Sequence, residues 1–135
     1  MEMVSWSSDY SVGIAEINEQ HKKLVSILNS LVVSLSEFTQ DSNLSRLLKE
    51  LADYSVYHFQ TEEKYMKKFN YPGYEAHFRE HEDFKSKIIT FIDQYEKKEA
   101  VLTVDLLEFI WEWLKNHIAG SDKKYSVFFR EHGLS

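Results

Sequence analysis

The stretch Tyr74-Glu75-Ala76-His77-Phe78-Arg79-Glu80-His81-Glu82-Asp83-Phe84 decides how the rest of the chain reads. In a helix, His77 and His81 share one face, one turn apart, and both imidazoles can reach a single metal ion. Alone the pair is weak, because an ordinary helix carries it by chance. The same face continues apolar through Phe84, Ile88, Phe91, Ile92 and Tyr95, which predicts a helix over 74–97 with its inward polar residues at the start. Just upstream, Asn70-Tyr71-Pro72-Gly73 is a stop signal for a preceding helix.

That preceding helix is predicted over 43–69, with Leu44, Leu47, Leu48, Leu51, Ser55, His58, Glu62, Met66 and Phe69 inward. Its inward positions turn polar toward the C-terminal end, at His58 and Glu62, again four apart. Before it, Gln40-Asp41-Ser42-Asn43 reads as a turn, preceded by a helix over 19–38 that Asn18 caps. His21 lies in the first turn of that helix, on the stripe formed by Leu24, Val25, Leu28, Leu31, Val32, Leu35 and Phe38. Residues 1–17 have no helical period; Trp6, Tyr10, Val12, Ile14 and Ile17 predict an arm packed across the core. After a turn near 98–102, a fourth helix is predicted over 103–130, capped by Thr103. Leu106, Leu107, Ile110, Trp113, Leu114, His117 and Ile118 face inward on it, and Asp122, Tyr125, Phe128 and Phe129 continue the pattern past Gly120.

Four long helices joined by short turns predict an all-α fold, an up-down-up-down antiparallel four-helix bundle with an N-terminal arm. In that topology the start of the first helix, the end of the second, the start of the third and the end of the fourth share one end. The inward polar residues fall at those four places: His21; His58 with Glu62; His77 with His81; His117 with Asp122. Four separate coincidences of depth would be needed to explain this away. Any one of these histidines alone would be read as a hydrogen-bonded core residue, and Glu62 alone as a solvated charge. Buried together, however, unpaired carboxylates cost several kcal/mol per ion, and a multivalent cation removes that cost. Without metal, at least one of Glu62 and Asp122 is expected to take up a proton. His132 stays outside the set as a surface residue, and Glu63, five residues from His58, is expected to point into solvent. His117 and Asp122 are also five apart, about 140° around a regular helix. A single-turn π-bulge, eased by Gly120, would bring them onto one face.

Composition narrows the class. With 135 residues the chain is expected to form one domain, and its 43% hydrophobic content suits a packed core. The net charge of −6 without a basic block gives no footprint for nucleic acid. The absence of cysteine excludes disulfides, thiolate zinc sites, iron–sulfur clusters and cysteine nucleophiles. No apolar run approaches the ~18 residues of a membrane span, and the N-terminus lacks a secretory pattern, so a cytoplasmic location is expected. Imidazoles and carboxylates without sulfur suit iron, manganese or zinc. Seven donors exceed the needs of one ion, so two ions bridged by the carboxylates are expected. The count favours iron over zinc, which closes a tetrahedron with four ligands; spacing leaves iron and manganese open.

These residues carry a family resemblance. His21, His58-xxx-Glu62, His77-xxx-His81 and His117-xxxx-Asp122 resemble the hemerythrin family in its single-domain bacterial form. So do Trp6, Val12-Gly13, Gln20-His21, Trp113-Leu114 and Asp122-Lys123-Lys124-Tyr125, so that the likeness spans essentially the whole chain. Asn18 departs from the aspartate frequent there, and both residues cap helices well. The resemblance implies a non-haem di-iron centre that binds dioxygen reversibly. It implies that His77, His81 and His117 hold one iron and His21 and His58 the other. Glu62 and Asp122 would bridge the two irons, together with an oxo or hydroxo group. On that count the first iron is six-coordinate and the second five-coordinate, so dioxygen is expected at the iron held by His21 and His58. Trp113, Leu114 and Ile118 resemble the family's pocket-lining residues.

The expected use is oxygen storage or delivery, with a protein partner for delivery left open. An oxygen- or redox-sensing module is the alternative, disfavoured by the lack of a methyl-accepting, kinase or linker segment in these 135 residues. Di-iron oxidase or peroxidase chemistry is a further rival, but such sites are richer in carboxylate. His77 to His81 also fits H-x-x-E-H, an inverted zinc-protease signature with Glu80 as base. Glu80 lies about 100° around the helix from His81, which places it off the ligand face.

Overall fold

A computed structural model describes residues 4–36, 41–98 and 104–134. Its helices are α1 (Ala15–Ser36), α2 (Asp41–Lys68), α3 (Tyr74–Glu96), α4 (Val104–Asn116) and α5 (Lys123–Glu131). A π-helical turn, His117–Asp122, joins α4 to α5, so the two run on as one interrupted helix. Helix α1 packs along α2, α2 along α3, and α4 returns against α1, giving the antiparallel bundle that the sequence predicts. The proposed cap at Thr103, the turn at 99–102, Phe38 and Gln40 lie outside the described residues.

The N-terminal arm differs from its prediction. Helix α1 begins at Ala15, four residues earlier than the periodicity indicates, so Asn18 lies inside the helix and does not cap it. The Asn18 amide instead ties the arm down: Oδ1 accepts from the Val12 amide at 2.9 Å and Nδ2 donates to Ser11 Oγ at 2.9 Å. Gly13 makes the bend between arm and helix at φ 75°, a conformation that a Cβ would disfavour. Further back, Val4 and the Asn29 side chain exchange two hydrogen bonds, of 2.7 and 2.8 Å, that fasten the arm to α1. The arm thereby sets Trp6 against the ring of His21. Asp41 to Asn43, read from sequence as turn, form the first turn of α2.

Helix α2 stops where its sequence says it should. Asn70 takes the left-handed conformation (φ 55°), which asparagine tolerates better than most residues, and the Tyr71 amide returns to the Met66 carbonyl at 2.9 Å. Among the described residues the inward stripes are buried near the middle of the bundle and half-buried at Leu35, Phe69, Phe91, Ile92, Tyr95, Leu106, Trp113 and Phe128, and they divide into two clusters. The larger includes Leu24, Leu28, Leu47, Leu48, Leu51, Phe84, Ile88, Leu107, Ile110, Leu114 and Ile118. A second cluster holds Val12, Ile14, Ile17, Met66, Tyr125 and Phe129, with Tyr65, Phe69, Tyr71 and Tyr74 packed against it. The polar inward residues form a layer between these clusters. The ligand-bearing end is therefore roofed by a second core, which the arm and α5 complete.

Candidate metal centre

Each helix contributes to the polar layer at the depth its sequence pattern requires, and all seven side chains are buried: His21, His58, Glu62, His77, His81, His117 and Asp122. Ligand atoms of Glu62, His77, His81, His117 and Asp122 lie within 4.8 Å of one another. Those of His21, His58, Glu62 and Asp122 form a second such group. Both carboxylates belong to both groups, and their oxygens are divided between them. Glu62 Oε1 faces His58 Nε2 at 2.5 Å, and Asp122 Oδ2 faces His21 Nε2 at 2.9 Å. On the other side, His77 Nε2 is 3.0 Å from both Glu62 Oε2 and Asp122 Oδ1, while His117 Nε2 is 3.0 Å from Asp122 Oδ1.

The π-turn makes this possible. In a regular helix Asp122 would point about 140° away from His117; widening the turn brings both into the layer, as the five-residue spacing predicts. An added Cβ at Gly120 would meet nothing within 4 Å, so steric room is not what the glycine provides.

Several of these contacts are close without being hydrogen bonds. His21 Nε2, His58 Nε2, Glu62 Oε1 and both oxygens of Asp122 are buried and have no properly directed partner. They converge on common points. Separations near 3.0 Å are also the cis edges of a polyhedron whose centre lies ~2.1 Å from each donor, the bond length of imidazole and carboxylate ligands. His81 Nε2 and His117 Nε2 approach to 3.0 Å, an arrangement that needs a proton or a metal cation between or beside them. Geometry and donor chemistry therefore fit a metal site.

Outer groups fix the imidazoles by their remote nitrogens. His58 Nδ1 donates to Gln20 Oε1 at 2.7 Å, and Gln20 is itself anchored by Nε2 to Thr61 Oγ1. His81 Nδ1 donates to Glu63 at 2.8 Å, and His117 Nδ1 to Glu80 at 2.9 Å. Such bonds orient the ring and leave Nε2 aimed at the metal. Glu63 corrects the sequence reading: it leaves the face of His58 and Glu62 but turns toward α3 rather than into solvent. Its side chain is only 14% exposed. Phe59 stacks on His81 at 4.0 Å, and Trp113 on His117 at 4.7 Å, which limits ring rotation further.

Charge in the metal-free layer is also placed differently from the sequence expectation. Burial and Asp122 push the Glu62 carboxyl upward, but the imidazoles of His58 and His77 outweigh them and hold it at about 2. Asp122 is likewise held well below the usual carboxylate range against its burial, chiefly by His117. Burial lowers His77, yet the facing carboxylates of Asp122 and Glu62 raise it to about 9. His117 rises to about 10 against its own burial, through Asp122 and then Glu80. The layer thus favours protonated His77 and His117 over a protonated carboxylate, because each of these imidazoles faces carboxylate oxygen. Burial, with His58 adding, lowers His21, and burial lowers His81.

Trp113 lies with the three-histidine group, stacked on His117, whereas Leu114 and Ile118 point into the larger apolar cluster with Leu24 and Leu28. His132 is exposed, as expected, and bonds the Phe128 carbonyl. Gln20, Glu63 and Glu80 each adjoin a ligand along the chain, but nothing in their spacing signals the bonds they make to ligand imidazoles of other helices. Replacing Gln20 by alanine should free the His58 ring and weaken metal binding about 10–100-fold, read by competition with a chromophoric chelator.

Fold and site together define a helical-bundle metal protein whose buried centre is built from imidazoles and two shared carboxylates. The family model for the hemerythrin HHE cation binding domain matches residues 12–127. This chain belongs to the hemerythrin family. It is 30% identical over 132 residues to the bacteriohemerythrin of Stenotrophomonas maltophilia, covering 98% of this chain and 85% of that one. It is 35% identical over 121 residues to the hemerythrin-like protein of Naegleria gruberi, covering 90% and 89%. A crystal structure of wild-type hemerythrin superimposes with a TM-score of 0.86 at 28% identity, covering 93% of this chain and 96% of that one.

Proposed function

We propose that the chain binds dioxygen reversibly at a non-haem di-iron centre and serves as an oxygen carrier or store rather than an enzyme. One observation carries this reading: Glu62 and Asp122 each divide their two oxygens between a three-histidine and a two-histidine group, all of them buried. His77, His81 and His117 would hold one iron, His21 and His58 the other, with both carboxylates and an oxo or hydroxo group between. A ferrous pair held by these residues would supply the reversible two-electron chemistry that dioxygen binding requires. The two-histidine group offers one donor fewer, which would leave a position on its ion for an exogenous ligand.

The protein's own part is to hold this layer dry. Glu63, Glu80 and Gln20 keep protons at the outer imidazole nitrogens of His81, His117 and His58. Leu24, Leu28, Leu114 and Ile118 close one side with apolar surface, and Ile14, Ile17, Met66 and Tyr125 close the other. Excluding outside acids matters because protonation of reduced oxygen would make binding irreversible. A peptidase role for Glu80 has no support from its surroundings, since both of its oxygens are bonded to side chains of the 117–122 turn. The optical spectrum of the reduced, iron-loaded protein tests the reading. It should change on exposure to air and return on deoxygenation; a spectrum that changes and does not return would favour oxidase chemistry.

A further inference from the structure

Glu80 is left unused by the ligand set, yet its placement is specific. Its side chain is 45% exposed and lines a surface recess of about 190 Å³ together with Trp113, Asn116, His117 and Ser121. Through this recess an edge of a buried ligand, His117, meets the outside. The two oxygens of Glu80 are shared out: one accepts from His117 Nδ1 at 2.9 Å, the other from Ser121 Oγ at 2.9 Å. Both partners belong to the π-turn, at its first and fifth residues, and Asp122 follows at once. One carboxylate on α3 therefore spans the widened turn almost end to end. A π-turn is a rare conformation that local sequence does not by itself enforce, so an external strap has something to hold. Glu63 provides the contrast, since it accepts from His81 Nδ1 and spans no turn.

We infer that Glu80 and Ser121 form a latch on the metal centre. Closed, it holds the π-turn in the register that aims His117 and Asp122 inward. Opened, it releases the turn from α3 and lets metal enter or leave through the recess. Glu80 is thus a positioning residue, acting through His117 and Ser121. A half-exposed carboxylate suits the role, because water or an arriving cation can displace its partners. The inference rests on the metal-centre reading and adds the route and the element that moves.

Two measurements test it. Chelator-driven iron release from the loaded protein should be about 10–100-fold faster in Glu80→Gln, the range of an outer-group loss, and several-fold faster in Ser121→Ala. Ser121→Thr, which keeps the hydroxyl, should restore the parental rate. In the metal-free chain, amide hydrogen exchange over 117–123 should be faster in Glu80→Gln and Ser121→Ala but not in Glu63→Gln. Parental release and parental exchange in Ser121→Ala would overturn the latch and reduce Glu80 to orienting one imidazole. A parent protein that takes up no iron would overturn the metal reading and the route with it. The exchange comparison would still decide separately whether Glu80 holds the turn.

Discussion

Stripping the metal is expected to lower thermal stability sharply and to make the remaining stability fall as pH rises. A ligand bound only by the native state adds about 4 kcal/mol at a thousandfold excess over its Kd, and that contribution goes first. In the metal-free layer, protonated His77 and His117 then neutralise Glu62 and Asp122. Their folded values, about 9 and about 10, lie above the ordinary imidazole value of 6.5. Groups raised in this way stabilise fully below pH 6.5 and lose that contribution as pH climbs through 9 and 10. Melting of the metal-free protein across that range should show the decline, while the loaded protein, whose imidazoles bind metal in place of protons, should resist it. Loading near pH 7 should accordingly release about two protons per chain from His77 and His117, and at least one more from the water that becomes the bridging group, measurable by calorimetry in buffers of different ionisation enthalpy. Release of the water's protons alone would place the others elsewhere. Hydrogen exchange should loosen at the ligand layer while Leu47, Leu48 and Leu51 stay protected; equal loosening throughout would count against a locally held centre.

The second large effect separates holding metal from protecting it. His77→Ala removes the imidazole that lies 3.0 Å from both shared carboxylates, so iron content should fall well below that of the parent. Leu114→Ala removes no ligand. Leu114 is almost fully buried, one turn before Ile118, in the same apolar cluster as Leu24 and Leu28. Truncation should cost about 2–5 kcal/mol of stability and leave space beside the layer that water can reach. Both irons should stay, while the oxygenated spectrum decays faster to the oxidised one. Stopped-flow oxygen binding and the lifetime of that spectrum give the answer. A parental lifetime in Leu114→Ala would remove this leucine from the wall that keeps the site dry.

The sequence by itself determined the helices, their order and the depth at which each turns polar. Helical period and the four-residue spacings of His58 with Glu62 and of His77 with His81 are local properties, and burying one stripe per helix leaves the bundle few alternatives. The five-residue gap from His117 to Asp122 even announced the π-turn, because a regular helix could not bring both inward. Tertiary structure alone decided what lies around the ligands. Glu63 and Glu80 look like solvated charges along their own helices, and they find His81 and His117 only because neighbouring helices are rotated and staggered against them. The early start of α1 at Ala15 was hidden because Asn18, a good capping residue, is used across the bend to hold the arm. The protons on His77 and His117 were out of reach as well, since a pKa depends on which oppositely charged oxygens face the ring, and those oxygens come from helices distant along the chain.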